Sequence, residues 1–268
     1  MSSGASKAES AQSCAEILRG FDYDRYLALL YAPADQRDAL MAISAFNAEL
    51  ARIPGLASEP MVGEIRLAWW REALADLFAG KIRPHPILQA LGKLDALPHD
   101  LMEDMVEARI DELYREEALN IKELRDYARR THGALNRLLL KQLDVASDDR
   151  ADEAAMALTL TGTLKAMSYH AHMRGNVNSG ERIFQGEFTD ETLKLAQDLA
   201  EAALTHIENV KQNKPPKRAL PVFLPLVSAQ DHLKRITAVG YDPRRIDLQK
   251  HSLKKQIKLF WAALRGRI

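Results

Sequence analysis

The sequence predicts an all-α fold, with one domain built from about ten helices. Over most of the chain the apolar residues recur at intervals of three and four, which is the period of a helix with one buried face. No group of segments alternates apolar and polar residues between turn signals, as the strands of a sheet would. No internal repeat indicates a solenoid. With 268 residues, 47% of them apolar, the chain is long enough to bury a sizeable core.

The charge balance gives no signal for nucleic-acid binding, because 37 Lys and Arg are matched by 37 Asp and Glu. The charges are nevertheless unevenly placed. Residues 234–268 contain ten Lys and Arg, and only Asp242 and Asp247 as acids. A basic end of this kind is typical either of a solvated helix face or of a surface that binds anions.

Residues 1–14 are polar and have neither an apolar signal core nor an arginine-rich amphipathic pattern. We predict a flexible N-terminus over residues 1–14 and one helical domain over residues 15–268. The single cysteine, Cys14, excludes an internal disulfide and fits a reducing compartment. No apolar run approaches the roughly 20 residues needed to cross a bilayer, so any membrane contact should be peripheral.

The first two predicted helices lie on either side of Pro33. One spans residues 14–31. The second begins after Asp35, a residue type that often caps a helix, and ends near Ile53, before Pro54. The second helix carries a single apolar stripe, formed by Leu40, Ile43, Phe46, Leu50 and Ile53.

The next predicted helix carries the densest apolar surface of the chain. Ser58 is a suitable N-cap, Pro60 suits the first turn, and Gly80 lies where a helix commonly ends. The apolar residues cover more than half of the circumference, which predicts burial on more than one side. They are Ile65, Leu67, Trp69, Trp70, Leu74, Leu77 and Phe78.

The remaining helices follow the same period between loops rich in charge, Pro or Gly. The loops at residues 147–150 and 213–216 are the clearest of these breaks. After a short segment at residues 84–95, helices are predicted over residues 100–115, 121–130, 133–143, 152–173, 190–211, 220–239 and 248–264.

Short motifs spread over most of the chain carry a family resemblance. They are Tyr26, Leu30, Pro33, Arg37, Ala39, Ala45-Phe46, Arg66-Leu67-x-x-Trp70-Arg71, YARRTHG at residues 127–133 and ALTLTGTLK at residues 157–165. Together they resemble the squalene/phytoene synthase family. The resemblance implies an isoprenoid-synthase-like helical bundle around a central cavity.

The same resemblance implies a missing metal site. Synthases of this family join two allylic diphosphates with Mg²⁺, which two Asp-rich motifs on facing helices hold through carboxylates. The corresponding positions here read Ala51-Arg52-Ile53-Pro54-Gly55 and Lys165-Ala166-Met167-Ser168-Tyr169-His170, and neither run contains a carboxylate. We therefore expect no metal site, no cofactor and no ordinary synthase activity.

The runs AFNAELARI, at residues 45–53, and GEIRLAWWREAL, at residues 63–74, resemble a divergent branch of the family that serves in respiratory complex I assembly. This implies a non-catalytic protein that binds a complex I subunit or assembly intermediate. Its place would be the bacterial cytoplasm, peripherally at the inner membrane. Two alternatives stay open: a prenyltransferase with an atypical site, which would need Mg²⁺, and a carrier of isoprenoid or lipid.

If the family's cavity is kept, the resemblance places several polar residues at its wall. Without the acids, such a cavity would favour an anion or a lipid headgroup. For Arg66 and Arg71 the alternative is ion pairing with Glu64, Glu72 and other neighbours. The candidates are Arg37, Asn47, Glu49, Arg66, Trp70, Arg71, Lys165 and His170.

Two further patterns lie on helix faces. Glu103, Glu107 and Asp111 share one face at a spacing of four. We interpret them as a solvated stripe, since no other ligand type converges on them. A relocated metal site is the alternative.

The C-terminal helix carries an apolar stripe with basic flanks. The stripe spans about 100° in helical projection and consists of Leu253, Ile257, Phe260, Trp261, Leu264 and Ile268. Basic residues beside such a stripe suit an anionic membrane surface. The alternative is a terminal helix that docks its stripe on the core, and both hold if the helix is docked in solution and released at a membrane. The membrane-binding candidates are Lys254, Lys255, Lys258, Phe260, Trp261 and Arg265.

Overall fold

The computed structural model describes residues 2–115, 121–173, 189–246 and 253–268, and the regular structure in these ranges is helical throughout. The first half contains α1 (Ser2–Phe21), α2 (Tyr23–Leu29), α3 (Arg37–Leu56), α4 (Pro60–Phe78), α5 (Pro86–Leu91) and α6 (His99–Leu113). The all-α prediction and the single helical domain are confirmed.

The second half continues the bundle. It contains α7 (Ile121–Ala128), α8 (Ala134–Gln142), α9 (Asp149–Met173), α10 (Asp190–Gln212), α11 (Leu220–Phe223), α12 (Pro225–Ala238) and α13 (Leu253–Arg265). A π-helical turn, Arg129–Gly133, joins α7 to α8, which the sequence predicted as separate helices. Pro225 separates α11 from α12, where one helix was predicted, because proline is favoured at the first position of a new helix.

Helix α3 lies at the centre of the bundle, where it packs against α1, α4, α5, α6 and α8. All residues from 39 to 48 are buried, so the helix is enclosed on every side along this part. The predicted stripe of Leu40, Ile43, Phe46 and Leu50 is fully buried within it. One continuous apolar cluster extends from α1 to α12, which is the core expected of a single domain.

The N-terminal segment differs from the prediction. Helix α1 begins at Ser2, and Cys14 is fully buried although residues 1–14 were predicted to be flexible. Lys93 Nζ donates to Ser10 Oγ over 2.9 Å, and Ser10 is itself buried. Burial raises the pKa of the Cys14 thiol to about 11, so it stays protonated at neutral pH.

Several helix ends differ from their predicted positions. Helix α3 continues through Pro54 to Leu56, because a proline in the last turn removes only one hydrogen bond of the helix. The N-caps are Gln36 for α3 and Glu59 for α4, and the expected Asp35 and Ser58 are wrong. Beyond α4, Gly80 has a φ of +81°, the left-handed conformation in which glycine commonly ends a helix.

Helix α4 is buried on one face only, so the prediction of burial on several sides is wrong. The buried face consists of Gly63, Leu67, Trp70, Ala73 and Leu74. A Cβ on Gly63 would lie 2.5 Å from a methyl carbon of Leu113 on α6, so a larger residue here would require the Leu113 side chain to move. The opposite face leaves Ile65 and Met61 about two-thirds exposed.

Candidate functional site

Trp70 is the anchor of an aromatic cluster between α3, α4 and α5. Its side chain is 4% exposed, and its ring meets Phe46 edge-on at 5.4 Å and His85 at 5.0 Å. Trp69 meets Trp70 at 5.1 Å but is 38% exposed. Edge-to-face pairs of this kind add stability beyond the burial of their area. The structure therefore gives Trp70 a packing role.

Asn47 and Glu49 lie on α3 near this cluster. Asn47 is buried, and Glu49 pairs with Arg52 at 3.0 Å. The guanidinium of Arg52 also lies over the ring of Phe21, 4.1 Å from its centre. Burial lowers the pKa of His85, and the negative charge of Glu49 opposes that shift. Glu49, the acid nearest to the run Ala51-Arg52-Ile53-Pro54-Gly55, is thus paired with Arg52 of that run.

The structure places the three candidate arginines in three different surroundings. Arg37 Nη2 donates to the carbonyl of Ala32 over 3.1 Å, in the loop before α3. Arg66 is exposed. Arg71 pairs with Glu107 on α6 at 3.2 Å, with both side chains at least one-third exposed. Arg71 therefore has an ion-pair partner, though it is not the local glutamate that the sequence suggested.

Two of the three carboxylates in the acidic stripe on α6 are paired with arginines. Glu107 faces Arg71, and Asp111 accepts a hydrogen bond from Arg130 over 2.5 Å. Glu103 is exposed. Within the described ranges, no three His, Cys, Asp or Glu side chains form a group that could hold a metal ion.

Asp24 connects three helices through two lysines. Its carboxylate lies 3.6 Å from Lys165 on α9 and also pairs with Lys255 on α13. Burial raises the pKa of Asp24, but the charges of Lys165 and Lys255 outweigh it and hold the pKa below its ordinary value. Lys165 thus lies at the α2–α13 contact. The side chain of His170 lies outside the described residues.

A buried polar network around Tyr127 was not predicted. Arg109 donates to Glu112 over 2.7 Å, Tyr127 donates to the same carboxylate oxygen over 2.7 Å, and Arg109 also contacts the tyrosine hydroxyl. These groups join α6 to α7. The YARRTHG run was noted only for its resemblance, and no local spacing pointed to Glu112, fifteen positions earlier.

Two buried histidines lie deeper in the bundle. His132, in the π-helical turn, shares a hydrogen bond of 3.1 Å with Thr159. Burial, together with the charges of Arg25, Arg109 and Lys165, lowers its pKa to about 3. Burial likewise lowers the pKa of His232 on α12 to about 3. Both imidazoles are therefore neutral at physiological pH.

Helix α13 docks on the bundle along a narrow edge. Leu259 is its buried side chain, and Ala262 and Ala263 pack on a small separate cluster of Ala28, Leu220 and Leu224. Polar contacts complete the interface: Lys258 pairs with Asp231, Lys255 pairs with Asp24, and Gln256 donates to the hydroxyl of Tyr23 over 3.0 Å.

Most of the apolar stripe of α13 faces solvent instead of the core, although Ile268 at its end is partly buried and packs on the core. Phe260 and Trp261 are each nearly half exposed, and their rings meet edge-on at 5.7 Å. Arg265 lies over the Trp261 ring at 5.2 Å. Leu253, Ile257 and Leu264 are more than half exposed. No described helix is long and apolar enough to cross a membrane.

Comparison with known proteins gives relatives along nearly the whole chain. The chain is 30% identical over 286 residues to complex I assembly factor 6 of Rattus norvegicus, covering 99% of this chain and 85% of that protein. It is 30% identical to the Homo sapiens protein of the same name, over 88% of this chain and 77% of that one. A homologue from Dictyostelium discoideum is 22% identical over 85% of this chain and 70% of its own length.

Solved structures share the fold. Squalene synthase HpnC from Alicyclobacillus acidocaldarius superposes with a TM-score of 0.69 at 20% identity, covering 88% of this chain and 95% of that one. A dehydrosqualene synthase superposes with a TM-score of 0.72 at 17% identity, covering 97% and 96%. The squalene/phytoene synthase family model matches residues 18–253. This chain therefore belongs to the squalene/phytoene synthase family.

Proposed function

We propose that this protein is a non-catalytic assembly factor for respiratory complex I. The observation that carries the proposal is the 30% identity to complex I assembly factor 6 over nearly the full chain. The solved synthases, at 20% identity or less, share only the fold. Ala51-Arg52-Ile53-Pro54-Gly55, where the family's first acidic motif would fall, also favours a role without Mg²⁺-diphosphate chemistry. The partner is a complex I subunit or an assembly intermediate.

The experiment that tests this function is capture of the tagged full-length protein from membranes of its own organism. We expect complex I subunits to co-purify, identified by mass spectrometry against an untagged strain. A protein that recovers none of them, even after mild crosslinking, contradicts the assembly role. Turnover of farnesyl diphosphate with Mg²⁺ would instead support the prenyltransferase alternative.

The proposed place of action is the surface of the inner membrane, reached through α13. The exposed aromatic pair is flanked by Lys254, Lys258 and Arg265, and residues 253–268 contain no acid. An apolar stripe with basic flanks binds anionic bilayers through both burial of side chains and attraction to lipid charge. The stripe's exposure supports this contact, because a stripe buried against the core could not reach lipid without undocking.

The double substitution Phe260→Ser/Trp261→Ser is expected to weaken binding to phosphatidylglycerol-containing vesicles by about tenfold or more, because two large apolar side chains no longer enter the bilayer. Co-sedimentation with vesicles measures this. The control is Ile65→Ser on α4, which removes an even more exposed apolar side chain from a different helix. Equal losses for both variants, or no loss for the double variant, would refute the use of α13.

A further inference from the structure

A groove of about 460 Å³ lies beside α13, on the side of the bundle that carries the exposed stripe. One wall is formed by α13 and the other by the end of α2 and the start of α11. Its volume lies within the range of small-molecule binding sites in proteins. The lining residues are Tyr31, Lys217, Leu220, Pro221, Phe260, Ala263, Leu264 and Gly266.

The lining has the chemistry of an amphipathic ligand site. Seven of its eight residues offer carbon surface, and Lys217 is its only charged member. Lys217 is exposed and forms no ion pair with any described residue. Arg265 and Arg267, on either side of Gly266, are also exposed at the same end of α13. A ligand that suits this lining has an apolar chain and one anionic group.

The groove is continuous with the surface proposed to meet the membrane. Phe260 and Leu264 belong both to the groove wall and to the exposed stripe. A bilayer that contacts the stripe therefore brings lipid to the mouth of the groove. Lys255 and Lys258 are paired with Asp24 and Asp231, but Arg265 and Arg267 are exposed at this end of α13, and their charge favours anionic lipids over zwitterionic ones.

We propose that this groove binds one acyl chain of an anionic phospholipid, with the phosphate at Lys217. The inference rests on the membrane contact proposed above and names the lipid class that this contact recognises. A neutral apolar peptide is disfavoured as the occupant, because it would leave the cation in the groove without a counter-charge.

The test uses a soluble lipid, so that it does not depend on a bilayer. Dihexanoyl phosphatidylglycerol, below its micelle concentration, is titrated into the full-length protein, and binding is followed by intrinsic tryptophan fluorescence and by native mass spectrometry. We expect saturable one-to-one binding. Lys217→Ala should weaken it by about fivefold, since one basic residue near a lipid charge contributes on that scale. Tyr31→Glu should abolish it by placing a carboxylate in the groove wall.

Leu253→Glu is the matched control, because Leu253 lies on the stripe but does not line the groove. This variant should lose affinity for vesicles and keep its affinity for the soluble lipid. The membrane contact through α13 and the groove site can therefore fail separately. Absence of binding by the unmodified protein would overturn the groove site, as would equal affinity for dihexanoyl phosphatidylcholine or unchanged binding by both Lys217→Ala and Tyr31→Glu. None of these results would contradict the proposed role in complex I assembly.

Discussion

Replacing Trp70 with alanine is expected to lower the free energy of unfolding by about 3–5 kcal/mol, the usual cost of deleting a buried aromatic side chain. Trp70 is 4% exposed, and its indole fills the space between Phe46 on the central helix and His85 before α5. The substitution leaves a cavity that three helices would have to close by moving together. Close-packed interiors collapse only partly around such a cavity.

Trp69→Ala is the matched control for this prediction. It deletes the same side chain one residue earlier, but Trp69 is 38% exposed. We expect a loss of about 1–2 kcal/mol, because much of this indole already contacts water. Urea denaturation followed by circular dichroism measures both. Equal losses for the two variants would contradict the one-sided burial of α4.

Replacing Arg109 with methionine is expected to cost about 3–5 kcal/mol, because it leaves a largely buried carboxylate without its counter-charge. Arg109 is 7% exposed and lies 2.7 Å from Glu112, whose side chain is 15% exposed. The hydroxyl of Tyr127 still donates to that carboxylate, but one neutral hydrogen bond does not replace an ion pair.

Arg71→Met gives the contrast with an ion pair that is open to solvent. The Arg71–Glu107 pair joins α4 to α6, and its side chains are 50% and 36% exposed. Removing a pair so open to solvent should cost about 0–1 kcal/mol.

The double variant Arg109→Met/Glu112→Gln tests the charge explanation for the buried pair. It should recover part of the stability that Arg109→Met alone loses. No recovery would mean that the arginine acts through packing rather than charge.

Helical periodicity was enough to predict the bundle, since the stripe of α3 and most helix ends follow from local residue patterns. The errors arise where tertiary contacts override those patterns. The π-helical turn Arg129–Gly133 keeps α7 and α8 continuous, and no local signal distinguishes such a turn from a break. Helix α4 has apolar residues on both faces, but only the face with Gly63, Leu67 and Trp70 is buried.

The site was harder to predict, because its contacts join residues far apart in the chain. Arg71 pairs with Glu107, which lies 36 positions later, whereas sequence spacing could suggest only local glutamates. Asp24 pairs with Lys165 and Lys255, which no motif connects. The amphipathic pattern of α13 was visible, but the same stripe suits a core or a membrane. Its exposed orientation depends on the small residues Ala262 and Ala263 forming the docking edge.

The most direct measurement of the assembly role is the amount of assembled complex I in membranes of the source organism after deletion of this gene. Native gel electrophoresis with an NADH dehydrogenase activity stain gives the readout, and an unrelated respiratory complex serves as the internal standard. We expect assembled complex I to fall sharply, to return with the unmodified gene, and to return only in part with Phe260→Ser/Trp261→Ser. Normal levels of assembled complex I in the deletion strain would contradict the account.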